Sequence, residues 1–286
     1  MGLMSGRLRL STAFDLAGTL DSAQAFRWTR EGDTYRGLVG ARVVWLRQEG
    51  ASVAWKADPP GDLGSWIRGY FRLEDPYDDI CAALAAGEPR LARVIAAFQG
   101  LRLLRTDPWE CLVSFIVSAN NNVKRIEGII DRMAAAFGAH IRPGVHAFPE
   151  PLALAGATLA ELRIAGLGYR APYVRDTARS ILDTGLELER LRSEPLEEVQ
   201  RVLLGFPGVG PKVADCVALF SLDKVDAFPV DVHVARACSQ LYHRGIAMTP
   251  DRIRRLAQRR FGDHAGYAQQ FLFQWARRGR SGDRVA

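Results

Sequence analysis

The sequence predicts an α+β fold, with a small antiparallel sheet at the N-terminal end packed on a mainly α-helical body. Two patterns predict it. Up to about residue 75 apolar residues alternate in short, turn-bounded runs, and from about residue 76 they recur at i, i+3 and i+4. A third observation joins the helices into one body: short Gly- or Pro-containing links separate them, with no internal repeat and no low-complexity linker.

Taken in order, Ala25-Phe-Arg-Trp28, Thr34-Tyr-Arg-Gly-Leu-Val39 and Ala41-Arg-Val-Val-Trp-Leu46 read as strands, punctuated by Gly32-Asp33, Gly40 and Glu49-Gly50. Helical spacing then runs over Ile80 to Leu84, Leu91 to Gln99, Pro108 to Ser118, Val123 to Phe137, Leu159 to Ala165, Tyr173 to Asp183 and Leu196 to Leu203. Val230 to Tyr242, Pro250 to Phe261 and Ala265 to Arg277 complete the pattern. Two domains are expected, a sheet-containing one over residues 1–100 and a helical one over 101–286.

The composition is that of a globular protein, with 48% apolar residues among 286. No apolar run approaches the roughly 20 residues that span a bilayer, and no signal-peptide pattern is seen, so neither a membrane nor an export route is expected. The protein is expected to stay where it is made, in the cytoplasm of a prokaryote or the nucleus of a eukaryote, as a monomer. A net charge of +6 suits a polyanionic partner but is mild for this length. The four cysteines (Cys81, Cys111, Cys216, Cys238) form no CxxC-like pair, which argues against a zinc or iron–sulfur site and for reduced thiols. No metal and no cofactor are expected.

Of 38 basic residues, 34 are Arg and only 4 are Lys. A retained lysine therefore asks what arginine cannot do there, and the chemical answer is to lose its proton and act as an amine nucleophile. Lys212 lies in Leu204-Gly-Phe-Pro-Gly-Val-Gly-Pro-Lys-Val-Ala-Asp-Cys216, a glycine hairpin opening into a helix. Gly208 and Gly210 permit close backbone approach, Pro211 suits the first helical position, and the exposed amides make an anion site fit for a phosphate. An ordinary lysine is only about 0.1% neutral near neutral pH. A helix N-terminus and burial both disfavour the ammonium, so this position is expected to favour the amine.

Asp231, in Phe228-Pro-Val-Asp-Val-His233, follows a proline and precedes an apolar helix, which makes it a good N-cap. A carboxylate fixed there also faces developing positive charge, such as a sugar acquires when its glycosidic bond breaks. Cys216 shares a helix face with Lys212 at i+4, and spacing alone reads it as a small buried hydrophobe. Gln269 and Phe273 share a face in the same way.

These segments resemble the helix-hairpin-helix DNA glycosylases, and in particular the 8-oxoguanine DNA glycosylase/AP lyase type. Ser118-Ala-Asn-Asn-Asn-Val-Lys-Arg125, Gly166-Leu-Gly-Tyr-Arg-Ala171 and Tyr70-Phe-Arg-Leu73 agree as well, so the likeness extends from about Leu10 to Arg277. It implies a TATA-binding-protein-like sheet domain, double-stranded damaged DNA as partner, and excision of 8-oxoguanine opposite cytosine. Lys212 would attack the sugar C1′ of a flipped nucleotide, expel the base and leave a Schiff base that permits β-elimination, with Asp231 stabilising the cationic transition state. The resemblance puts Cys216 and Phe273 on the two faces of the base and Gln269 at its Watson–Crick edge. Asn120 would fill the gap in the duplex, Tyr169 would wedge it open, Arg125 and Arg170 would hold the orphaned cytosine, and His233 would contact a phosphate. Gly208 and Gly210 would meet the DNA backbone, where a monovalent cation is left open.

One position departs from the family. Where it has Gly, with a carbonyl that accepts the N7 hydrogen found only on the oxidised base, this chain has Ala23. Alanine still supplies the carbonyl, while its Cβ restricts the backbone. Two other functions stay open on the residues: a monofunctional glycosylase for alkylated or other purines, which needs only the aspartate, and a non-catalytic hairpin module that binds DNA, which needs neither Lys212 nor a base pocket.

Overall fold

Alternating burial defines the N-terminal sheet. In the computed structural model, which describes residues 4–278, β1 (Met4–Arg9), β2 (Thr29–Glu31), β3 (Thr34–Val39), β4 (Arg42–Gln48) and β5 (Ser52–Asp58) form one antiparallel sheet in the order β1-β5-β4-β3-β2. Val53, Trp55 and Ala57 of β5 point inward while Lys56 is exposed, the period-two pattern of a half-buried strand. The inner face packs with α1 (Leu16–Leu20) and α2 (Gly64–Tyr70) around Leu46, Leu63, Ile67 and Phe71.

The segment Ala25–Trp28 is not a strand, contrary to its alternation; the ladder starts at Thr29. Its side chains divide between two cores instead. Phe26 packs edge-on against Phe115 of the helical body, and the Trp28 indole donates to the Tyr70 hydroxyl at 2.8 Å beside the sheet. The segment bridges the two bodies, so its backbone does not pair as a sheet edge.

The helical body comprises α3 (Tyr77–Gly87), α4 (Pro89–Ala97), α5 (Pro108–Ser118), α6 (Val123–Phe137), α7 (Pro151–Gly156), α8 (Leu159–Ile164), α9 (Ala171–Thr184), α10 (Leu196–Leu204), α11 (Pro211–Ser221), α12 (Val232–Tyr242), α13 (Pro250–Phe261) and α14 (Ala265–Arg278). A short hairpin of β6 (His140–Arg142) and β7 (Val145–His146) follows α6. Capping sets several boundaries: Asp107 accepts from the Glu110 amide at 2.8 Å to start α5, and Asn122 accepts from the Arg125 amide at 3.0 Å to start α6. α5 is buried from Cys111 to Val117, which makes it the central helix against which α11 packs. No helix among the described residues is long and apolar enough to cross a membrane.

Charged groups tie the two parts together. Arg102 is fully buried, lies over the Tyr77 ring at 4.0 Å, and donates to Thr12 Oγ1 and, at 2.9 Å, to the Ala13 carbonyl. Buried Arg72, just beyond α2, pairs with Asp223, in the loop after α11, and Arg105 reaches the same carboxylate at 2.8 Å. Burial pushes the Asp223 carboxyl up, but the two guanidinium groups outweigh it and hold the group below the usual carboxylate range. A lowered folded-state pKa gives stability that is complete above about pH 4 and is lost as pH falls through the lowered value. Asp223→Asn should therefore cost about 3 kcal/mol at pH 7, because it strands the buried Arg72 charge, and urea denaturation at a series of pH values should show that cost shrinking toward pH 3.

Candidate active site

The helices α10 and α11 are joined by a tight turn that turns on one glycine. Gly208 has φ +77, and a Cβ there would stand 2.7 Å from the Tyr173 ring of α9, so both conformation and space demand glycine. Thr177, one turn further along α9, donates to the Pro207 carbonyl at 3.3 Å. Pro211 then opens α11. Lys212, its second residue, is half-buried, with Nζ 3.3 Å from the Ser118 hydroxyl and 4.9 Å from the centre of the Phe115 ring.

Asp231 caps α12, as its sequence context predicts. Its Oδ1 accepts from the His233 amide at 3.0 Å and the Val234 amide at 2.8 Å. Both bonds use one oxygen, so the cap leaves Oδ2 uncommitted. Lys212 and Asp231, from two helix N-termini, line the same cavity of about 850 Å³.

Ala23, Asn120, Cys216, His233, Gln269 and Phe273 line it too. Cys216 is 3% exposed, and burial pushes its thiol up to about 12 although Lys212 pulls the other way; it is a neutral thiol at any working pH. Gln269 is buried, donates to the Pro229 carbonyl at 3.1 Å, and among the described residues its Oε1 has no partner. An unmet acceptor in such a place costs about 1–3 kcal/mol until a donor arrives. The His233 ring stands edge-on to Phe273 at 5.6 Å.

Ala23 takes φ +59, the left-handed region that an alanine occupies at a cost of about 1–2 kcal/mol. Its neighbours enforce this. The Gln24 amide donates to the Arg102 carbonyl and to Ser22 Oγ, both at 2.8 Å, and its oxygen accepts from the Leu104 amide at 2.9 Å.

Five expected residues lie outside the cavity lining. Tyr169 and Arg170 sit at its rim, joined to it through the Asn120 loop. The Tyr169 hydroxyl donates to the Ala119 carbonyl at 3.2 Å; Arg170 Nε donates to the same carbonyl at 3.0 Å, and its Nη2 to the Asn120 carbonyl at 3.1 Å. Arg170 is buried, with its guanidinium 4.3 Å from the Tyr169 ring centre. Asn120 is held at φ +49, a conformation asparagine tolerates better than most residues. Tyr169 meets Tyr173 edge-on at 6.4 Å, and Tyr173 in turn abuts Gly208, which links the rim to the hairpin. Gly210 caps α11 in an extended conformation, and Arg125 is exposed on the first turn of α6.

Sequence reasoning missed Phe115, Ser118 and Arg277 as cavity residues. Ser118 lies 94 positions from Lys212, so no local signal joins them. Arg277 follows Phe273 by four positions and Gln269 by eight, a spacing that marks the same helix face.

The cap and any chemistry at Asp231 are separable. Asp231→Ala should lower unfolding free energy by about 1 kcal/mol in urea denaturation, whereas Asp231→Asn, itself a good cap, should stay close to the parent.

Residues 7–112 match the family model for the N-terminal domain of 8-oxoguanine DNA glycosylase, and residues 113–262 match that for the HhH-GPD superfamily of base excision DNA repair proteins. The chain is 33% identical over 282 residues to the N-glycosylase/DNA lyase OGG1 of Arabidopsis thaliana, covering 92% of this chain and 77% of the relative. It is 32% identical over 324 residues to the N-glycosylase/DNA lyase of Saccharomyces cerevisiae, covering 93% and 84%. The Clostridium acetobutylicum 8-oxoguanine glycosylase/lyase, solved with double-stranded DNA containing cytosine opposite 8-oxoG, superposes with a TM-score of 0.89 at 32% identity, covering 98% of this chain and 99% of that one.

Proposed function

Because the chain belongs to the 8-oxoguanine DNA glycosylases of the helix-hairpin-helix superfamily, we infer that it excises 8-oxoguanine opposite cytosine from duplex DNA and then nicks the strand as an AP lyase. The observation that carries the reading is the convergence of Lys212 and Asp231, from two separate helix N-termini, on one cavity of about 850 Å³.

The residues then take these roles. The target nucleotide leaves the stack and enters the cavity. Its base lies between Cys216 and Phe273, and the unmet Gln269 oxygen accepts from its Watson–Crick edge. The Ala23 carbonyl accepts the N7 hydrogen of the oxidised base. Lys212 Nζ, once it has released its proton, bonds to C1′ as the glycosidic bond breaks, and the base departs with the bonding pair and takes up a proton. Asp231 Oδ2 faces the positive charge that builds on the sugar during this step. Ring opening leaves an imine between Lys212 and C1′. Loss of a C2′ proton then expels the 3′ phosphate, and later hydrolysis frees the lysine.

The rim holds the DNA. The amides of Gly208 and Gly210 and the N-terminus of α11 bind backbone phosphate, and His233 contacts a phosphate near the lesion. Asn120 fills the space the flipped nucleotide leaves, Tyr169 wedges the stack, and Arg125 and Arg170 read the orphaned cytosine. The protein acts as a monomer on double-stranded DNA.

Borohydride reduction during turnover on 8-oxoguanine DNA should trap a covalent adduct, and Lys212→Gln should give none; a parent protein that releases base without ever trapping would sink the amine mechanism. Arg125→Ala should reduce the preference for cytosine over adenine opposite the lesion by about tenfold, the worth of one good base contact. Single-turnover excision rates with each opposite base measure it.

A further inference from the structure

One face of α14 is bonded in series to α1 and to the loop after it, which carries Ala23. Gln274 Nε2 donates to the Gly18 carbonyl at 3.0 Å, Arg277 Nη1 to the Asp21 carbonyl at 3.0 Å, and Gln270 Nε2 to the Ser22 carbonyl at 3.1 Å. Residues 270, 274 and 277 are spaced so that they share a stripe of the helix. An adjoining stripe of α14 presents Gln269 and Phe273 to the cavity. One helix thus carries one wall of the base pocket and grips the loop that supplies another part of its lining.

Arg277 belongs to both stripes. Its guanidinium stands 5.4 Å from the Phe273 ring centre and lines the cavity, while its Nη1 holds the Asp21 carbonyl, two residues before Ala23. Burial lowers the Arg277 pKa, and Asp21, Asp231 and Glu127 draw it back up. A guanidinium keeps its proton in such surroundings and remains a fixed donor.

The grip matters more with alanine at position 23 than it would with glycine. Glycine takes a positive φ freely, whereas alanine at φ +59 tends to relax toward negative φ. Such relaxation would turn the peptide planes beside Ala23 and swing its carbonyl away from the base. The Gln24 bonds hold the far side of Ala23, and the α14 bonds hold the near side.

We propose that Arg277 is a specificity-determining positioning residue, which fixes the Ala23 carbonyl at a set distance from the Phe273 face so that the pocket separates oxidised from ordinary guanine. The proposal rests on the reading of this cavity as the base pocket. It requires no contact between Arg277 and the reacting atoms.

The test compares single-turnover release of 8-oxoguanine and of guanine, each opposite cytosine, for the parent, Arg277→Met and the double variant Arg277→Met/Ala23→Gly. Methionine keeps much of the apolar stem and removes the donor. Thermal unfolding of each variant checks that all three are folded, and Arg277→Gln provides a second replacement should the methionine variant fold poorly. Arg277→Met should lower the 8-oxoguanine-to-guanine ratio about tenfold, and Ala23→Gly should restore most of it, since glycine holds the left-handed conformation unaided. Cleavage of a preformed abasic site, which has no base to read, should fall by a smaller factor than 8-oxoguanine release does in Arg277→Met. An unchanged ratio in both single replacements overturns the proposal while the functional reading stands. A loss that Ala23→Gly does not recover also overturns it, because Arg277 would then act on the base itself. A parent protein that releases no oxidised purine removes the functional reading instead.

Discussion

Two backbone amides bonded to one oxygen of Asp231 are the constraint on which the site depends. They fix a carboxylate at the start of α12 within a cavity that the start of α11 also lines. A free carboxylate would sample rotamers and lose part of its electrostatic effect in each. The placement of Lys212 is of the same kind: the Gly208 turn against Tyr173 sets where α11 begins, and Ser118 and Phe115 of the central helix receive the amine. The proposed chemistry is positioned by helix ends, and the helix ends by close packing against α5, α9 and α14.

The sheet part contributes a single strip of loop to the cavity, yet much of the interface serves that strip. Gln24 reaches the 102–104 backbone, and buried Arg102 and Arg72 brace the segments on either side of it. α14 completes the enclosure. A pocket built between two bodies in this way discriminates well only if the bodies keep their distance, and the many side-chain-to-carbonyl bonds across the seam are suited to that task.

Much of this was legible in the sequence, for physical reasons that differ from place to place. Punctuation residues gave sharp helix limits: Pro108 and Pro250 open their helices as expected, and Asp231 is the cap its context predicts, although the helix after it starts at Val232, two positions later than the apolar spacing suggested. The hairpin was legible because a glycine turn followed by proline has few other meanings. β1 was not, since only Leu8 of its six residues is buried and no alternation shows. Ala25–Trp28 misled because its alternation reflects two different cores instead of one sheet face. Lys212 was visible by its rarity, whereas Ser118 and Phe115 beside it were not, because tertiary contact across 94 positions leaves no periodic trace. The inward direction of Arg170 was equally invisible, as nothing local distinguishes it from a solvated arginine.

That inward arginine has an entropic consequence. A guanidinium carries five N–H donors in a rigid plane, and Arg170 commits its Nε and Nη2 to the Ala119 and Asn120 carbonyls, which leaves the Nη1 edge for a newcomer. An arginine side chain surrenders about 2 kcal/mol of rotamer freedom when it is immobilised. Here the surrender has happened at folding, before any ligand arrives. Encounter then demands little further ordering of the rim, and the affinity gained from each contact is not spent on stilling the group that makes it.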